Sequence, residues 1–228
     1  MNYITKIEKN GVKLISFPVG SFAANCTAIF DINSKRALLI DPGLEAEDTV
    51  SFIAHNNLIV ETILHTHGHF DHIGCSSEIA KTNDASLYLH PLDHELYFSM
   101  KEHAAMFGLN IKGNLSPIKY NLADAKVITF QGDGHDVSFT TLHTPGHSQG
   151  SCSFYSDSFD TPILISGDTL FKNSIGRTDL PGGDYETLIT SIKSKLFPLP
   201  NETIVITGHG PSTTIADEKK FNPFLKGI

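Results

Sequence analysis

The chain predicts an α/β fold built of two similar β-rich halves whose strand ends face a shared cleft. Three observations predict it. Short aliphatic runs alternate with amphipathic helical stretches along the whole chain of 228 residues. The run Ile59–Leu64 leads directly into Thr66-His67-Gly68-His69-Phe70-Asp71-His72, so a cluster of polar side chains falls on a strand-to-helix loop, where α/β proteins place their chemistry. Finally, one order of elements occurs twice. An aliphatic strand ends at Asp41, a helix follows, and the next strand delivers His67; later a strand ends at Asp168, a helix follows, and the next strand delivers His209. Strand-turn-helix order is common, so this symmetry alone does not establish a repeat.

Residues 14–19, 27–32 and 37–40 read as strands, with a hairpin turn at Asn33-Ser34, and Asp41-Pro42-Gly43 stops the third. Residues 45–56 read as a helix with acidic residues in the first turn and Ala46, Val50, Ile53 and Ala54 on one face. Ile59–Leu64 is expected to be a short buried strand, and a helix is expected over 73–81. A short strand at 87–89 precedes Pro91. Leu96, Met100, His103 and Phe107 recur at helical spacing up to Gly108, and 112–122 reads as loop. Strands resume at 126–130, 137–142, 152–155 and 163–165. Asp184 is a good N-cap for a helix whose apolar face is Tyr185, Leu188, Ile189, Ile192 and Leu196, ended by Pro198 and Pro200. A last buried strand at 203–206 runs into Gly208-His209-Gly210-Pro211.

Composition bounds the function. A length of 228 residues suits a single domain, 1–228, that buries a core without disulfide staples. Cys26, Cys75 and Cys152 are an odd, widely spaced set that suits a reducing compartment, and each reads as a small buried apolar residue. A net charge of −8 with no basic run excludes a nucleic-acid partner of the usual kind. Residues 1–20 carry no apolar leader, and no run approaches 18 apolar residues, so no membrane role and a cytoplasmic location are expected. The oligomeric state is open.

Packing has no need for three imidazoles and a carboxylate within seven residues. A divalent transition metal does, because neutral imidazole nitrogen and carboxylate oxygen are donors that zinc prefers. His67, His69, Asp71 and His72 are therefore metal-ligand candidates. Three further donors share their setting at a glycine-punctuated strand end: His147 in Thr144-Pro145-Gly146-His147-Ser148, Asp168 in Ser166-Gly167-Asp168-Thr169-Leu170, and His209 in Thr207-Gly208-His209-Gly210. His65 and His143, in strands just before ligands, read as packed or hydrogen-bonded imidazoles. His94 and His103 lie on a helix that could wall the cleft, though core packing is the commoner use of such a face. Asp41 either orients a ligand imidazole or initiates the Asp-Pro-Gly turn.

The succession THGHFDH, TPGHS, SGDTLF and TGHGPSTT resembles the metallo-β-lactamase superfamily, and within it the glyoxalase II-like hydrolases of a small bacterial subgroup. The segment from Gly176 to Asp184 and the tail Asn222-Pro223-Phe224-Leu225 add to the resemblance, which runs from about Ser21 onward. It implies a four-layer αββα sandwich with the metals at one edge of the sheets. It also implies two divalent ions, zinc first with iron or manganese as alternatives. His67, His69 and His147 would hold one ion, Asp71, His72 and His209 the other, with Asp168 bridging. The net charge of such a centre, with a bridging hydroxide, is about one positive unit, which suits a carbonyl oxygen or an anionic substrate. The implied reaction is attack of that hydroxide on the carbonyl of a small thioester or ester, S-lactoylglutathione foremost, with Asp71 the nearest carboxylate to take the proton.

Departures narrow the reading. β-Lactamases of this fold do not carry aspartate at the position of Asp168, which argues against antibiotic hydrolysis. The C-terminal helical domain that helps hold glutathione in full-length glyoxalase II enzymes is not expected, since 19 residues follow His209. Arg177 falls where the resemblance puts a cationic substrate contact, with an ion pair to Asp179 or Asp184 an equal alternative. Persulfide dioxygenases, which use one iron, and lactonases remain as alternatives; a purely non-catalytic metal module has nothing in its favour.

Overall fold

The structure is a computed structural model and describes residues 3–226. Antiparallel pairing organises the first quarter of the chain. Strands β1 (Thr5–Lys9), β2 (Val12–Val19), β3 (Ala24–Asp31) and β4 (Arg36–Ile40) follow one another through short turns. The first turn is Asn10-Gly11, both residues in the left-handed region, and it brings β1, which has no counterpart among the strands expected from the sequence, to the sheet edge. After β4 the pairing becomes parallel through β5 (Ile59–Leu64), β6 (Ser86–Leu89) and β7 (Ile118–Asn121), which completes a seven-stranded sheet. The expected loop over 112–122 thus contains an edge strand. Its four residues, Ile118-Lys119-Tyr120-Asn121, are mostly exposed and too few for their alternation to signal a strand, and pairing with β6 supplies the order.

The second sheet has six strands. β8 (Val127–Phe130), β9 (Val137–His143), β10 (Cys152–Ser156) and β11 (Ile163–Gly167) pair antiparallel. A small ribbon, β12 (Leu170–Phe171) with β13 (Ser174–Ile175), stands apart, after which β14 (Ile204–Thr207) lies parallel to β11 and β15 (Thr213–Thr214) closes the edge. The twofold order of the sequence is therefore present in three dimensions. β4 and β5 are parallel neighbours in one sheet, β11 and β14 in the other, and each pair delivers an aspartate and a histidine at its carboxyl end.

Leu14, Ile29, Leu38 and Ile40 of the first sheet pack against Phe139, Phe154, Ile165 and Ile206 of the second. The outer face of the first sheet is covered by α1 (Ala46–Asn56), α2 (Phe70–Ile73), α3 (Ser76–Asn83), α4 (His94–Phe98) and α5 (Met100–Met106). α6 (Tyr185–Ser191), continued by a π-turn at Ile192–Leu196, and α7 (Ile215–Phe221) cover the second. The layers are helix, sheet, sheet, helix, which is the αββα sandwich that the resemblance implies. None of its described helices is long and apolar enough to cross a membrane.

Three helical expectations need correction. α1 buries Thr49 and Phe52, whereas Val50 of the expected face is 43% exposed. Phe52 stacks on Phe17 at 4.4 Å between ring centroids, and the Thr49 hydroxyl donates to the Pro42 carbonyl, which together rotate the helix. The helix expected over 73–81 is interrupted at Gly74-Cys75, so that α2 can carry Asp71 and His72 on a separate turn. The periodic stretch ending at Gly108 is two short helices broken at Ser99; its buried anchors are Tyr97, Met100 and Ala104, while Phe107 is largely exposed. The Asp184 cap is present, its Oδ1 accepting from Thr187 N at 2.8 Å. All three cysteines are free and buried.

Candidate metal centre

Four loops meet where the carboxyl ends of the two sheets adjoin, and they bring all seven donor residues together. His67 and His69 leave β5, Asp71 and His72 sit on α2, His147 lies between β9 and β10, Asp168 follows β11, and His209 follows β14. His69 Nδ1 is 2.9 Å from His147 Nε2, and the His67 ring centroid is 4.8 Å from each of theirs. On the other side His72 Nε2 is 3.1 Å from His209 Nε2, and Asp71 Oδ2 is 3.3 Å from His209 Nε2. The Asp168 carboxylate lies between the two groups, 3.5 Å from His147 Nε2, 3.4 Å from His72 Nε2 and 3.7 Å from His209 Nε2.

Backbone continuity explains the approach. Asn25 N donates to Gly208 O at 2.7 Å, and its side-chain amide donates to the carbonyls of Thr207 and Gly210, so β3 of one sheet is tied to the end of β14 in the other. At Gly208 a Cβ would fall 2.0 Å from Asp168 Oδ1, so that position admits no side chain.

Anchors behind the rings fix which nitrogen faces inward. His72 Nδ1 donates to Asp41 Oδ2 at 3.0 Å, His147 Nδ1 to the Arg177 carbonyl at 2.8 Å, and His209 Nδ1 to the Phe22 carbonyl at 3.1 Å. His67 Nδ1 lies 3.0 Å from Thr66 Oγ1, whose own proton goes to Asp41 Oδ2. Acceptor oxygens behind these four rings take the Nδ1 proton, so Nε2 is the nitrogen each turns inward, whereas His69 faces the cluster through Nδ1.

Lone pairs facing each other at about 3 Å repel unless a proton or cation lies among them. Burial, reinforced by the neighbouring imidazoles, holds His67 well below the usual histidine range, and His69 is pulled down in the same way. Burial also opposes charge on His72, but the carboxylates of Asp168 and Asp71 override it and hold that ring well above the usual range. Two buried atoms of the cluster, His67 Nε2 and Asp168 Oδ1, have no hydrogen-bond partner. Buried polar atoms are normally satisfied, so orphans amid an imidazole-carboxylate set fit divalent ions with nitrogen and oxygen donors. Among the described residues three trios have donor atoms within 4.8 Å of one another: His67/His69/His147 and Asp71/His72/His209, divided as the resemblance implies, and Asp41/His67/His72, in which Asp41 is the carboxylate behind the His72 ring.

The other sequence-level candidates have defined places. Asp41 serves both readings: its backbone is in the left-handed region at φ 51°, and its buried carboxylate accepts from Thr66 N, Thr66 Oγ1 and His72 Nδ1. His65 is fully buried between the Tyr88 carbonyl and Ser76 Oγ, and His143 stacks on His90 at 4.2 Å, away from the cluster. The Arg177 guanidinium is exposed and makes a two-pronged bond to Asp179, at 2.7 Å to each oxygen. Phe22, Phe70 and Phe107 form an aromatic group, with neighbouring ring centroids 5.4 to 6.1 Å apart, beside the Asp71 and His209 edge. Sequence reading misses Asn25, Phe22 and Asp93, none of which stands in a spacing that signals ligand support.

Residues 19–209 match the family model described as Metallo-beta-lactamase superfamily. Among curated proteins, "Hydroxyacylglutathione hydrolase GloC" of Haemophilus influenzae is 39% identical over 209 residues, covering 91% of this chain and 95% of that protein. Among solved structures, that of the BLEG-1 B3 metallo-beta-lactamase superposes with a TM-score of 0.81 at 38% identity, over 93% of this chain and 99% of the other. A second, TTHA1623 in a di-iron-bound form, has a TM-score of 0.80 at 37% identity, over 92% and 99%. Four motifs in one order, the layered fold and a match across most of its length agree: this chain belongs to the metallo-beta-lactamase superfamily.

Proposed function

We propose that the chain is a dinuclear metal-dependent hydrolase of small thioesters or esters, with S-lactoylglutathione or a similar hydroxyacyl thioester as substrate. The observation that carries this reading is the placement of the Asp168 carboxylate between two donor trios, each made of two residues of the 67–72 segment and one histidine from a distant loop. His67, His69 and His147 would hold one ion, Asp71, His72 and His209 the other, and Asp168 both. When bound, zinc, iron or manganese would supply Lewis acidity toward a carbonyl and lower the pKa of the attacking water.

The remaining roles belong to the chain. Asp71 is only partly buried, and its Oδ2 faces the cluster, 3.3 Å from His209 Nε2 and 3.7 Å from His72 Nε2, which suits it to accept a proton there. Phe22, Phe70 and Phe107 give an apolar wall against which a short acyl or thiol arm packs and water is thinned. Arg177 would exchange Asp179 for a substrate carboxylate, a move made inexpensive by the exposure of the pair. The named activity of the Haemophilus relative supports a glutathione thioester.

A panel assay separates the readings. Metal-loaded protein is expected to hydrolyse S-D-lactoylglutathione with kcat/KM of at least about 10⁴ M⁻¹s⁻¹. No turnover of it with both sites filled would remove the glutathione thioester. A simple acyl thioester and a lactone show how far the hydrolase reading extends. A β-lactam belongs in the panel because BLEG-1, 38% identical to this chain, is named a B3 metallo-beta-lactamase. Oxygen consumption with glutathione persulfide by a one-iron form would replace hydrolysis with dioxygenation.

A further inference from the structure

Asp93 is fully buried, belongs to none of the ligand motifs, and ends the turn Pro91–Asp93 after β6. Its Oδ2 accepts from Gly68 N at 2.8 Å and from Ser148 Oγ at 2.6 Å, and its Oδ1 accepts from Gly150 N at 2.6 Å. Gly68 lies between His67 and His69; Ser148 follows His147, and Gly150 is two residues further on. One carboxylate thus joins a loop of the first sheet to a loop of the second. The fit is close on both sides. A Cβ at Gly150 would fall 2.6 Å from Asp93 Cγ, and one at Gly68 would fall 2.9 Å from the Asp93 carbonyl. Burial pushes the carboxyl up, and the three donors oppose that. An apolar residue would fill this space without the cost of burying a carboxylate, so packing does not explain its presence.

We propose that Asp93 is a positioning residue that sets the spacing of the His67, His69 and His147 trio, and with it the affinity of one ion. The inference rests on the metal-centre reading above. The Asp71, His72 and His209 trio hangs on other anchors, the Asp41 carboxylate and the Phe22 carbonyl, so the two sites respond differently to loss of Asp93. In Asp93→Asn the amide keeps the size but turns an N–H toward one of the donors, leaving that donor unpaired.

The test is stepwise zinc binding to metal-free protein against a competing chelator. Anomalous-difference maps of crystals given limiting zinc identify the affected site, and circular dichroism checks the fold. Asp93→Asn is expected to lose about 10–100-fold in affinity at the His67/His69/His147 site, and to stay within about threefold of wild type at the other. Two wild-type affinities in a folded variant would overturn the proposal, as would equal losses at both sites. Should Asp93→Asn not fold, Ser148→Ala removes the 2.6 Å bond and leaves the two backbone bonds. It is expected to weaken the same site in the same direction, and unchanged affinity there would overturn the proposal. Failure of wild-type protein to take up zinc would instead remove the metal centre itself.

Discussion

Asp168→Ala is expected to reduce bound metal from two ions per chain to one or none and to abolish hydrolysis with it. The carboxylate lies within 4 Å of donors from both trios, and its Oδ1 is buried without a hydrogen bond. Its removal takes one negative charge from a site crowded with imidazoles, so two dications would repel each other with less to offset them. Loss of a mere supporting partner costs about 10–100-fold in metal affinity or activity. A direct donor shared by both ions is expected to exceed that range. Elemental analysis of the purified variant beside its rate checks both parts. Wild-type metal content would contradict the shared role, and full activity at one ion would contradict the dinuclear reading.

Asp41→Asn is expected to have the largest effect on stability. Asparagine accepts the left-handed backbone at this position, so the substitution tests the carboxylate and not the turn. The carboxylate holds Thr66 N at 2.8 Å, Thr66 Oγ1 at 2.5 Å and His72 Nδ1 at 3.0 Å, all buried. An amide cannot accept from all three, and hydrogen bonds to a charged group are worth about 1.5–3 kcal/mol each. A loss of about 3 kcal/mol is expected, which for a chain of this size lowers Tm by roughly 6–12 °C. The free His72 ring should also weaken metal binding on the Asp71/His72/His209 side. Thermal melts of metal-free and metal-loaded protein measure the two effects. Unchanged Tm in both forms would show that Asp41 only shapes the turn.

The seven side chains that meet in the cluster are legible in the sequence because ring and carboxyl groups gather beside glycine at strand ends, a pattern that core packing does not produce. Strands β2 to β5 and β8 to β11 are legible from their aliphatic runs. What escapes is decided by contacts between distant segments. The face of α1 is set by Phe17 lying under Phe52, which no helical periodicity within 46–56 reports. β7, only four residues long, is ordered by its neighbour and not by a pattern of its own. Asp93 looks like an ordinary turn aspartate after Pro91, and its three donors come from 25 to 57 residues away in sequence. Arg177 has two readings in the sequence, and the bond to Asp179 in the structure gives the ion pair its geometry while leaving the substrate contact to the assay.

Counting and locating the ions on native protein tests the central idea most directly. Elemental analysis with an anomalous-difference map should give two divalent ions per chain, one among His67, His69 and His147, the other among Asp71, His72 and His209, each touching Asp168. A single ion at full activity, or ions seated away from these seven side chains, would contradict it.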